Sequence, residues 1–100
     1  MRSHRIAVTI GADAIQVAPD TLVMSSKDEV QWEATNQRRF SIVFENDGPF
    51  GRRELGHDVA INRQQPRSKG RFKYSIVSED TPGLSLDPVI IVEEPPTGTG

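Results

Sequence analysis

The sequence predicts an all-β fold, an antiparallel two-sheet Greek-key sandwich, and three observations predict it. Apolar residues recur at every second position in one short segment after another. Clusters of Gly, Pro, Asn, Asp and Ser separate these segments at the spacing of short strands. No stretch sustains the 3.6-residue apolar period of an amphipathic helix, although a helical turn within 50–58 is compatible with the pattern.

Along the chain, Ile6, Val8 and Ile10 alternate with Ala7 and Thr9, which is a strand with one buried face. Gly11-Ala12-Asp13 turns the chain, Ile15 and Val17 make a short second strand, and Leu22 and Met24 re-enter after Pro19-Asp20. Val30, Trp32 and Ala34 form the apolar face of the next strand. A polar link, Thr35–Arg39, leads to Phe40, Ile42 and Phe44. Residues 46–70 are an excursion from which Phe50 and Leu55 return to the core, with Val59-Ala60-Ile61 as a short edge strand and 64–70 as an exposed turn. In the strand Arg71–Val77, Phe72, Tyr74 and Ile76 face one way, and Arg71, Lys73 and Ser75 the other. After a loop at 79–83, Val89–Val92 closes the fold as a strand buried on both sides.

One hundred residues make one domain, placed at 1–93, with 94–100 as a flexible tail of prolines and glycines. Hydrophobic residues at 35% and charged residues at 26% suit a globular chain rather than a disordered one. The absence of cysteine excludes disulfides, thiolate catalysis and thiolate metal centres. The beginning is too polar for a secretory signal, and the longest apolar run is Val89–Val92, far short of the ~18 residues of a membrane span. A cytoplasmic location follows as the expectation, provided that Met1 is the native start.

Net charge is −2, but it is segregated. Residues 1–37 hold three bases and five acids, residues 38–73 nine bases and four acids, and residues 74–100 five acids and no base. The middle of the chain therefore carries a surplus of five positive charges.

The order of these features resembles the cupredoxin superfamily over roughly residues 5–93. The residues that carry the resemblance are Val30-Gln31-Trp32, the Phe40-Ser41-Ile42-Val43-Phe44 strand, Gly48-Pro49-Phe50, Gly70-Arg71-Phe72-Lys73-Tyr74 and the apolar last strand. The resemblance implies a sandwich, and for copper-bearing members a blue-copper centre of one thiolate and two imidazoles. This chain departs from that pattern at every ligand position. Phe40 stands where the first histidine belongs and Ile76 where the cysteine belongs, and Val77–Pro88 offers neither histidine nor methionine. The resemblance thus implies a metal-free member with no cofactor, and electron transfer does not come with the fold.

The candidate sites compete with plainer roles. His57-Asp58 in a loop is a possible catalytic pair, but no nucleophile accompanies it, and a polar loop is the competing reading. Metal binding by His4 and His57 needs two distant loops to meet. Trp32 and Tyr74 have the parity of core residues. Phe50 is either core or an exposed anchor. Arg38, Arg39, Arg52, Arg53, Arg71 and Lys73, with Arg63, Arg67 and Lys69 nearby, make the most distinctive set. Clustered guanidiniums suit carboxylate or phosphate partners, and a solvated, internally paired surface is the alternative. Mild negative charge and few displayed aromatics speak against nucleic acid. The leading expectation is a non-enzymatic interaction module for a protein partner or acidic ligand. Its rivals are a small hydrolase-like or metal-dependent enzyme centred on His57 and Asp58, and self-assembly through the Val59–Ile61 edge.

Overall fold

A computed structural model describes residues 2–81 and 83–94. The first sheet contains β1 (Ser3–Ile10), β2 (Ile15–Ala18) and β4 (Glu29–Ala34) in the order β2-β1-β4. The second contains β3 (Thr21–Ser25), β5 (Phe40–Phe44), β6 (Glu54–Leu55), β7 (Gly70–Ser78) and β9 (Val89–Glu93) in the order β3-β9-β7-β5-β6. A two-residue strand, β8 (Ser85–Leu86), pairs with β7. The predicted sandwich is present, and the alternation read from the sequence decides which side chains it encloses. Ile6, Val8, Ile10, Val30 and Trp32 of one sheet and Phe40, Ile42, Phe44, Tyr74, Ile76 and Ile90 of the other are all buried in one core.

The sheets are mixed rather than purely antiparallel. β1 pairs with β4 in parallel, and so does β3 with β9. Only Pro19 and Asp20 separate β2 from β3, and this short link carries the chain from one sheet to the other. Strands that become neighbours in this way are not joined by hairpins, so nothing forces them to run antiparallel. The last strand also departs from its expected burial: Ile91 is only half-buried, because it faces the outer surface between Val23 and Arg71.

The excursion after β5 also departs from the expected pattern. Val59-Ala60-Ile61 is not a strand; a single helical turn, α1 (His57–Ala60), occupies this segment. The extended Gly56 offers its carbonyl to the N–H groups of Val59 and Ala60 at 3.0 and 2.9 Å. The side-chain amides of Asn62 and Gln64 then donate to the carbonyls of Asp58 and Val59 at 2.6 and 2.8 Å. Local side-chain donors thus satisfy the helix end that a sheet ladder would otherwise have to satisfy. The earlier half of the excursion folds as expected, with Phe50 and Leu55 in the core. Gly48 adopts φ 59° directly over the Phe44 ring, where a Cβ would sit 2.6 Å from the nearest ring atom. Only glycine allows that approach.

Trp32 joins the layers. Its ring meets Tyr74 and Phe50 edge-on at centroid distances of 5.7 and 6.1 Å, and its indole Nε1–H donates to the Tyr74 hydroxyl at 3.3 Å. Burial holds the Tyr74 hydroxyl in its neutral form, its pKa driven far above the ordinary phenol value. Among the described residues no helix is long and apolar enough to cross a membrane. Of the expected tail, residues 95–100 lie outside the described residues, while Glu94 pairs with Lys69. Replacing Tyr74 by Phe removes the acceptor of a buried indole N–H. We expect a loss of about 1–3 kcal/mol in denaturant unfolding with the fold retained.

Candidate ligand-binding site

The positions that the cupredoxin pattern reserves for metal ligands lie inside the core. Phe40 and Ile76 are both fully buried, on neighbouring strands whose register pairs Phe40 with Ser78 and Ile42 with Ile76. Both present carbon alone. Among the described residues no group of three His, Asp or Glu side chains is placed to hold a metal ion. The donor set therefore does not fit a blue-copper centre, which needs a thiolate and two imidazoles.

Next to Phe40, the two residues of the candidate catalytic pair point to different partners. His57 Nδ1 accepts the backbone N–H of Phe40 at 3.3 Å, and its ring packs edge-on against the Phe40 ring at 5.0 Å. Asp58 instead takes a two-pronged contact from Arg39, at 3.2 and 3.3 Å, and Arg39 Nε reaches Glu79 at 3.4 Å. The Arg39 guanidinium lowers the Asp58 pKa, and Asp58 in turn raises that of Arg39. His57 and Asp58 thus share no hydrogen bond, and Arg39 already has two carboxylates. His4 is equally occupied, and it is not at a loose end. Its Nε2 lies 2.9 Å from Asp28 Oδ2, and the buried Asp28 also accepts the N–H groups of Arg2 and Ser25, each at 3.0 Å. The His4 contact and these N–H donors outweigh burial and bring Asp28 from 3.8 to about 2.

The six basic candidates do not form one surface. Arg38 and Arg39 sit beside Ser78 and Glu79, where the Glu79 N–H donates to the Arg39 carbonyl at 3.2 Å. Arg67 leads into Gly70, at the other end of β7, about 26 Å away by strand rise. Arg53 and Lys73 come together over the outer face of β5 and β7, in an open hollow of about 300 Å³ that Glu45 and Asp87 also line. Its charges balance. Arg71 is exposed on the outer face opposite Ile91.

Arg52 has a different neighbour. The loop around Pro49-Phe50-Gly51 is tied to the loop 64–69 by the Pro49 carbonyl, which accepts the N–H groups of Arg67 and Ser68 at 2.6 and 3.2 Å. The Arg67 side chain runs over Gly51, its Cδ 3.6 Å from where a Cβ would stand. Gly51 has φ 75°, which glycine adopts without strain. Between the loops is an open hollow of about 430 Å³ lined by Phe50, Arg52, Gln64, Gln65, Pro66 and Arg67, with no carboxylate. Gln64 spends its amide N–H groups on the carbonyls of Val59 and Asn62, so Arg52, Arg67 and Gln65 are the donors that remain for a ligand. Among the described residues neither arginine has an ion-pair partner.

Two features here escape a linear reading. Arg67 and Gln65 look like an ordinary exposed turn, and nothing local says that Pro49 will hold them against Arg52. His4 and Asp28 did carry a signal. His4 has the parity of Ile6 and Val8, and Asp28 the parity of Val30 and Trp32, so period two places both on the inner face.

No family model matches the chain, and neither does any curated protein. Solved structures do match. A pseudoazurin from Sinorhizobium meliloti superposes with a TM-score of 0.68 at 17% identity, over 96% of this chain and 77% of that one. A methionine-to-alanine variant of amicyanin, in the Cu(I) form, gives a TM-score of 0.54 at 17% identity, over 88% of this chain and 81% of that one. The fold is cupredoxin-like.

The Asp28 cluster makes a pH prediction. A carboxylate whose pKa falls on folding stabilises the native state above its ordinary value near 3.8, and the contribution is lost as pH falls toward 2. Thermal unfolding from pH 5 to pH 2 should show a fall in midpoint that is smaller in Asp28→Asn. Parallel curves would show that Asp28 does not contribute.

Proposed function

We propose that this chain is a non-enzymatic interaction module, a cupredoxin-like domain that works in the cytosol without copper and recognises an acidic ligand or protein partner. The observation that carries this reading is the hollow of Arg52, Gln65 and Arg67. It concentrates two guanidiniums and a side-chain amide, has no carboxylate in its lining, and rests on loops that the Pro49 carbonyl locks together. A guanidinium donates two parallel hydrogen bonds to a carboxylate or phosphate, so two of them across a small hollow hold an anionic group in a defined orientation. Arg71, exposed on the half of β7 that Arg67 leads into, adds positive potential nearby.

This reading narrows the basic set. Arg39 is neutralised by Asp58 and Glu79, and Arg53 and Lys73 share their hollow with Glu45 and Asp87. The module therefore relies on Arg52 and Arg67, with Arg38 and Arg39 outside the contact.

Binding of a labelled oligo-glutamate peptide, followed by fluorescence anisotropy at low and high salt, tests the assignment. Arg52→Glu with Arg67→Glu should weaken binding by at least about tenfold, or ~1.4 kcal/mol, and salt should weaken binding to the unmodified protein. Arg38→Glu with Arg39→Glu should leave it within about twofold. Equal losses in the two double variants would refute the site.

A further inference from the structure

We infer that two copies of this chain pair edge to edge through β3, as an antiparallel extension of the second sheet across a two-fold axis. This inference is independent of the arginine hollow.

The sheet edges are not alike. β6 and β8 contain only two residues each, and β2 four, with Pro19 directly after it. The outer edge of β4 is closed by Gln64, which exchanges both backbone hydrogen bonds with Val30 at 2.9 and 2.7 Å, and Trp32 beyond it is fully buried. Short, proline-ended or covered edges are the usual protections against unwanted strand pairing. β3 has none of these.

The parallel ladder with β9 determines which groups of β3 are left over. Val89 N–H donates to the Asp20 carbonyl, and Ser26 N–H donates to the Glu93 carbonyl. Even-numbered residues of β3 therefore turn their backbone groups toward β9, and Thr21 and Val23 turn theirs outward. Among the described residues, neither has a backbone partner on that side. The side chains agree: Val23 is 50% exposed, the most exposed large apolar residue of the described chain. No charge and no proline interrupts Thr21–Ser26.

The segment is also complementary to itself. With the two-fold axis at Leu22, Thr21 lies opposite Val23 of the second copy and Val23 opposite its Thr21. Each of these pairs exchanges two backbone hydrogen bonds, using all four outward groups of each strand. The two Leu22 residues face each other on the inner side, while on the outer side each Val23 is covered by a threonine methyl. Asp20 comes opposite Met24 rather than another acid, so no like charges oppose this register. Ser25 is not needed, since its backbone N–H and carbonyl already pair with Asp28.

Sedimentation equilibrium on the full chain from micromolar to about 1 mM, a span that reaches down to ~4 kcal/mol of association energy, tests the pairing. The mass should rise from 11.1 kDa toward twice that value with concentration. Val23→Lys should shift the midpoint at least about tenfold toward monomer. Thr21→Pro, which deletes one outward N–H at the first position of an edge strand, should do the same. Circular dichroism should match the unmodified protein in both variants. A chain that stays monomeric throughout overturns the inference, and so does a dimer that survives both substitutions.

Discussion

Trp32 is the contact on which the rest of the arrangement depends. It is the largest fully buried side chain, and it touches a residue from each of two separately built regions. Tyr74 belongs to the middle of β7, and Phe50 belongs to the excursion after β5. One side chain therefore sets the distance between the sheets and fixes where the excursion returns to the core. Phe44 closes the cluster at 5.8 Å from Phe50 and 5.5 Å from Tyr74, and Gly48 lets the backbone pass over its ring. The loop that carries Arg52 starts at Pro49 and Phe50, and the loop that carries Arg67 is tied to it through the Pro49 carbonyl. The position of the hollow is thus a consequence of core packing rather than of surface charge.

The metal positions follow the same logic. In a sandwich this small, positions on the inner faces of neighbouring strands must hold either donors with a metal between them or side chains that pack. Phe40 and Ile76 pack, and His57 adds its ring to the outside of Phe40. Such replacements keep the fold and remove the ligand chemistry, because the fold's stability resides in the core and its function in a handful of positions.

Much of this was legible in the chain. Alternation placed Phe40, Ile42, Phe44, Tyr74 and Ile76 on inner faces, because period two is the direct signature of a half-buried strand. The excursion was less legible: Val59-Ala60-Ile61 has strand-like residues, yet the carbonyl of Gly56 and the amides of Asn62 and Gln64 favour a helical turn. Such capping is decided by side-chain reach, which a pattern of apolar residues does not record. The basic surplus was visible as composition, but its division was not. Arg39 and Arg67 belong to the same stretch of sequence and to opposite ends of β7, and only the strand pairing separates them. Parallel pairing was invisible for a related reason, since it joins segments that share no turn.

Backbone-amide NMR during titration with an acidic peptide tests the central claim most directly, since it locates the contact without altering the protein. The shifts should concentrate at Gly51, Arg52, Gln65 and Arg67 and diminish with added salt, while Arg38, Arg39 and Glu79 stay in place. Shifts centred on Arg38, Arg39 and Glu79, or spread evenly over the basic residues, would contradict it.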